Sequence, residues 1–156
     1  MKTKLTILDG NLLDQPVEVI VNAWNRNIIP WWLLLPQGVS GAIKKQGGYE
    51  PFRELARCGW LKAGEARITG AGKLPHQAII HVAGLNLLWR SSPAIVADCV
   101  RNALSIASHR GFRSIAFPLI GSGTGGLGEE EAIKAMSGAL TESPYEGEVT
   151  FVRYRR

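Results

Sequence analysis

Apolar and polar residues trade places along this chain with two periods, and the switches between them mark out its elements. Lys2 to Leu8 alternates charged or hydroxyl residues with Leu5 and Ile7, which predicts an edge-like strand. Asp9-Gly10-Asn11 is turn chemistry. Val17 to Val21 is β-branched except at Glu18 and predicts a second strand, ending where amides appear abruptly in Asn22-Ala23-Trp24-Asn25. Arg26 to Gln37 shows no period; Pro30 and Pro36 bound a loop there that contains Trp31 and Trp32. Gly38 to Ile43 opens a helix with Ser40 as its cap, and Gln46-Gly47-Gly48 stops it. A second short helical stretch runs from Tyr49 to Trp60.

Strands are predicted over Ala66 to Thr69 and, in a continuous apolar run, over Ala78 to Ala83. Between Pro93 and His109, Ile95, Val96, Cys99, Val100, Ala103, Leu104 and Ala107 recur at three- and four-residue steps, the pattern of a long amphipathic helix. Ile115 to Ile120 is too continuously apolar for a half-exposed strand, so it reads as a central strand buried on both faces. A helix over Glu129 to Leu140 and a strand over Glu148 to Tyr154 complete the chain. Strands alternate with helices, so the expected class is α/β, a largely parallel sheet covered on both faces.

Composition narrows the class without changing it. A length of 156 residues suits one domain, 1–156, and 46% hydrophobic with 20% charged residues describes an ordinary soluble globule. The first residues lack the apolar core of a signal peptide, and Ile28 to Leu35 is too short to span a membrane. Cys58 and Cys99 lack CxxC spacing and are expected as reduced core thiols in a cytoplasm. His76, His81 and His109 show no ligand spacing, so neither a metal nor a cofactor is expected. The net charge of +5 favours anionic partners mildly. Much of it lies in Arg153, Arg155 and Arg156, where a basic strand reads as a protected sheet edge and not as a nucleic-acid site.

The chemistry gathers after the central strand. Gly121, Gly123, Gly125, Gly126 and Gly128 are interrupted only by Ser122, Thr124 and Leu127. So much glycine costs backbone entropy and packs poorly; it suits a loop whose N–H groups approach an anion closely. Gly121 to Gly126 fits GxGxxG, but too little chain follows for a dinucleotide-binding unit. It is no P-loop either, because Leu127 stands where lysine is required. In parallel sheets ligands sit beyond the carboxyl ends of the strands. The loops Asn22 to Gly41 and Gly121 to Gly128 both fall there and together suggest a crevice for a phosphorylated, ribose-bearing molecule. Glu129, Glu130 and Glu131 would repel a diphosphate and are expected to face solvent.

With these segments placed, the chain resembles a macrodomain, the three-layer αβα module that binds ADP-ribose, over nearly its whole length. Val21-Asn22-Ala23-Trp24-Asn25 looks like VNAAN, and Gln37 to Ile43 like the end of GGGVDGAI. Gly64 to Gly70 resembles GxAxxTxG, Ile80 to Gly84 resembles IHTVGP, and Ser114 to Gly126 resembles SIAFPAIGTGxxG. The resemblance implies that Gly121, Ser122, Gly123, Thr124, Gly125, Gly126 and Leu127 wrap the diphosphate, with Gly38 and Val39 on its other side. It implies that Asn25 bonds the distal ribose and that the Leu12 N–H meets the adenine. Asn11 replaces the family's adenine-binding aspartate; its amide oxygen accepts the same bond without charge. Ser40 replaces the aspartate that activates water in the best-known hydrolase branch, and a hydroxyl is no general base at neutral pH. Pro36 and Gln37 replace two glycines, Gln37 adding a side-chain amide. Trp31 or Trp32 either stacks on the distal ribose or packs elsewhere. Asn22 is expected to fix the loop backbone, and His81 to be a core histidine.

Two functions of different class follow. One is hydrolysis of ADP-ribosyl groups from proteins, ester links to glutamate or aspartate favoured, or of a related ADP-ribose ester, with Asn25 holding the water. The other is an ADP-ribose reader without chemistry, which the Ser40 replacement favours. The expected partner is ADP-ribose or an ADP-ribosylated protein; neither a membrane nor a nucleic acid is expected.

Overall fold

The structure, a computed structural model, describes residues 3–24, 38–57, 61–84, 90–122 and 126–154, with the backbone alone for Trp24 and residues 38–41. Its elements are β1 (Lys4–Gly10), a 3-10 turn (Leu12–Asp14), β2 (Val19–Trp24), α1 (Gly38–Gly47), α2 (Glu50–Arg57), β3 (Ala66–Thr69), β4 (Ala78–Ala83), α3 (Pro93–His109), β5 (Ser114–Pro118), α4 (Glu129–Glu142) and β6 (Glu148–Tyr154). One six-stranded sheet has the order β1-β6-β5-β2-β4-β3. Every neighbouring pair is parallel except β3 with β4. The fold is therefore α/β with a mixed, largely parallel sheet.

Period-two alternation divides the sheet into two faces. Val19, Val21, Ile80, Val82, Ile115, Phe117 and Phe151 pack with Val96, Val100 and Leu104 of α3 and Met136 and Leu140 of α4. Their neighbours Ile20, Ile79, Ala116 and Val152 point the other way, to Ile43 of α1, Phe52 of α2 and Leu12 and Leu13 of the 3-10 turn. Burying a side chain of this size contributes about 1.5–3 kcal/mol, so the two apolar clusters fix the order of the layers. The α3 helix starts as its sequence dictates: the Ser92 hydroxyl accepts from the Ile95 N–H at 3.2 Å and Pro93 occupies the first turn. Cys99 is buried and free, its thiol donating to the Ala83 carbonyl at 3.4 Å.

Five expectations need correction. Asp9 and Gly10 do not form a turn; they end β1, in register with Arg153 and Tyr154. The basic strand β6 is not an edge; it lies between β1 and β5, and the edges are β1 and β3. Ser40 is not the α1 cap, because the helix already begins at Gly38 and places Ser40 inside its first turn. β2 continues through Asn22, Ala23 and Trp24, since the register with β4 runs to Trp24 opposite Ala83. β5 stops at Pro118, and the buried Leu119 and Ile120 lead into the turn beyond it.

Candidate functional site

Five parallel strands send their carboxyl ends to one edge of the sheet, so the segments after β1, β2, β4, β5 and β6 meet there. After β1, Asn11 caps the 3-10 turn: its Oδ1 accepts from the Leu13 N–H at 3.0 Å, and its carbonyl accepts from Gln15 Nε2 at 3.0 Å. Asn11 is thus a turn-former first, with a second lone pair remaining on Oδ1. As the first residue of that turn, Leu12 has no intrahelical partner for its N–H, while its carbonyl takes the Gln15 N–H at 3.2 Å. The side chain of Leu12 is buried and holds the turn against the sheet.

The end of β2 is pinned from the side. Asn22 Nδ2 lies 3.0 Å from His81 Nδ1 on β4, and His81 Nε2 lies 2.9 Å from Thr69 Oγ1 on β3. Thr69 in turn donates to the Gly70 carbonyl at 2.9 Å. The amide nitrogen of Asn22 donates, so Nδ1 accepts and the imidazole proton sits on Nε2. Burial without a charge partner pushes the His81 pKa down to about 3, and Phe52 packs edge-on to the ring at 5.6 Å. His81 is a neutral core histidine, as its place in an apolar strand predicts. Asn22 engages this neighbouring strand, a contact that its motif does not reveal.

From β2 the chain reaches α1, whose first-turn N–H groups at Gly38, Val39 and Ser40 lack intrahelical partners. The helix packs on β2 and on the 3-10 turn. Asn25, Gln37, Trp31, Trp32 and Cys58 lie outside the described residues, as do Gly123, Thr124 and Gly125.

The two ends of the glycine loop are defined. Gly121 and Gly126 have φ of +85° and +83°, and the Leu127 N–H closes the loop on the Gly121 carbonyl at 3.1 Å. A Cβ at Gly121 would come within 2.8 Å of Ser91 Oγ and 2.9 Å of Val96 Cγ2, so glycine is required by conformation and by space. The Ser122 hydroxyl donates to the Leu119 carbonyl at 2.9 Å, which makes it a loop-forming residue. Leu127 is half-buried against the α3 side of the core. Glu129, Glu130 and Glu131 are exposed in the first turn of α4, as expected.

Other motif residues prove structural. A Cβ at Gly84 would stand 3.0 Å from Ile120 Cγ2, and one at Gly64 would stand 2.8 Å from the Asp98 Cβ. These glycines let β4 and the start of β3 close on their neighbours. Arg90 and Ser91, ahead of α3, lie against Gly126 and Gly121, and sequence reasoning missed both. The Ser-Ser-Pro run marks a helix start but carries no sign of a contact with a loop so far along the chain. Among the described residues no group of His, Cys, Asp and Glu is arranged to hold a metal, and no helix is long and apolar enough to cross a membrane.

An α/β sheet with a glycine loop beside a helix start, both at the carboxyl edge, defines a class of anion-binding module. The particular family follows: the Macro domain family model matches residues 21–136, and the chain belongs to that family. It is 33% identical over 166 residues to an O-acetyl-ADP-ribose deacetylase of Escherichia fergusonii, covering 99% of this chain and 90% of that protein. A solved mutant of the Oceanobacillus iheyensis macrodomain with ADPR superposes with a TM-score of 0.76 at 30% identity, over 94% of this chain and 83% of the other. The Trypanosoma brucei macrodomain in complex with ADP-ribose gives a TM-score of 0.82 at 26% identity, over 97% and 64% of the two chains.

Proposed function

We propose that residues 1–156 act as one macrodomain that hydrolyses an ester of ADP-ribose at the carboxyl edge of the sheet, with the acetyl ester as the first substrate to test. The observation that carries this reading is the turn that the Leu127 N–H closes on the Gly121 carbonyl, beyond β5 and so at the same sheet edge as the end of its neighbour β2. The N–H groups of a glycine loop suit a diphosphate, and in this reading Asn25 takes the distal ribose. The similarity to proteins named O-acetyl-ADP-ribose deacetylase favours ester chemistry over mere binding. The buried Cys99 is in keeping with a reducing compartment such as the cytoplasm.

The reaction requires a water oxygen to bond to the acyl carbon while the bond from that carbon to the ribose oxygen breaks. The ribose oxygen takes a proton, and acetate leaves. Asn25, the loop backbone and a phosphate oxygen of the substrate hold the water, so positioning replaces a strong protein base. His81 is not that base: both its nitrogens are engaged and it is fully buried. A protein glutamate or aspartate ester of ADP-ribose poses the same chemistry with a larger leaving acid.

Ser40 favours a second reading, an ADP-ribose reader with no turnover. Incubating the full chain with O-acetyl-ADP-ribose, and separately with a protein carrying ester-linked ADP-ribose, decides between them. Release of free ADP-ribose from either ester supports the hydrolase. Tight binding with both esters intact makes the protein a reader, and no binding of ADP-ribose removes both readings.

A further inference from the structure

We propose that Arg90 is a further ligand-binding residue of the crevice, a cation set against the glycine turn to receive the substrate's diphosphate; the inference rests on the ADP-ribose reading above. Arg90 and Ser91 are consecutive, and they meet opposite ends of the same loop. Arg90 Nη1 lies 3.7 Å from where a Cβ on Gly126 would stand, and Ser91 Oγ lies 2.8 Å from the corresponding point on Gly121. Both glycines take positive φ, and the Leu127 N–H ties the loop shut between them.

The placement is rigid where it needs to be. Ser91 Oγ is buried and has no hydrogen-bond partner among the described residues, while the next residue, Ser92, caps α3. The Arg90 backbone is therefore anchored on its C-terminal side by packing against Gly121 and by the helix cap. Its side chain, by contrast, is exposed at the rim. A planar guanidinium presents paired donors that match phosphate oxygens.

Charge gives it a task. Glu129, Glu130 and Glu131 begin α4 directly after the loop and disfavour an anionic ligand there. A positive charge at Gly126 offsets that field where the diphosphate would sit.

Calorimetry on the full chain tests this with ADP-ribose, ADP and adenosine as probes against wild type, Arg90→Lys and Arg90→Ala. Arg90→Ala should weaken ADP-ribose and ADP about tenfold, the size of one charge-assisted bond. Adenosine should bind as before, Arg90→Lys should fall between, and about 1 M salt should shrink the difference. Unchanged ADP affinity in Arg90→Ala overturns the proposal. So does an equal loss on adenosine, which would make Arg90 a brace of the loop. If wild type itself fails to bind ADP-ribose, the underlying reading falls; if it binds and Arg90→Ala binds equally, only the role of Arg90 falls.

Discussion

Asn22 and His81 sit opposite each other on β2 and β4, and their side chains meet at 3.0 Å inside a sheet face where neither is exposed to water. The contact matters because it fixes the tautomer of a ring that burial keeps neutral. With Thr69 on the far side, the imidazole bonds as a neutral group and bridges three adjacent strands just before the chain enters the candidate crevice.

An acid-stability test follows from that bridge. Burial lowers the His81 pKa from 6.5 to about 3. In that window the unfolded chain binds a proton that the folded chain refuses. His81 therefore contributes no pH dependence above the unfolded value, and stability falls as pH drops below it, by about 1.4 kcal/mol per unit. Urea unfolding at about pH 7 and about pH 5 should show a shallower acid loss in His81→Gln than in wild type, although the variant is less stable at neutral pH. Equal slopes would mean that the ring is not held neutral.

Glycines at two positions should respond in opposite directions. Gly121→Ala forces a side chain into φ of +85° and against Ser91 and Val96. It should cost about 1–3 kcal/mol and weaken ADP-ribose binding with it. Gly138 is inside α4, and a methyl group added there would meet nothing within 4 Å. Gly138→Ala should stabilise the protein by about 0.5–1 kcal/mol and leave binding alone. Thermal unfolding and calorimetry on both variants check the pair; a tolerated Gly121→Ala would remove the case for a built loop.

Much of this architecture is legible in the residues themselves, because most elements obey a local period. Pro93 to His109, Ala66 to Thr69 and Glu148 to Tyr154 stand where their patterns put them. What a local pattern lacks is partner choice. β6 inserts between β1 and β5 through long-range pairing, so its arginines gave a false edge signal. The 3-10 turn at Leu12–Asp14 is too short to show a period, and its role emerges only from the Asn11 cap. Ser40 resembles a cap in sequence, yet Gly38 starts α1. The glycine loop was readable from composition, whereas its contacts with Arg90 and Ser91 were not, since nothing in those two residues names a distant neighbour.

The proposed catalytic role of Asn25, and the carboxylate missing at position 40, make a further test. Asn25→Ala should lower kcat far more than it raises the dissociation constant for ADP-ribose, because holding water matters to the transition state and little to the ground state. Ser40→Asp should raise turnover about tenfold or more if a missing base limits the rate. Steady-state kinetics with parallel titrations measure both. Equal losses of kcat and affinity in Asn25→Ala would reassign it to binding.

The most direct measurement is turnover of O-acetyl-ADP-ribose in water enriched in heavy oxygen, with both products weighed by mass spectrometry. Attack by water on the acyl carbon predicts labelled acetate and unlabelled ADP-ribose, formed faster than in buffer alone. An ester that stays intact in the presence of bound protein, or label appearing in the ADP-ribose, would contradict the account.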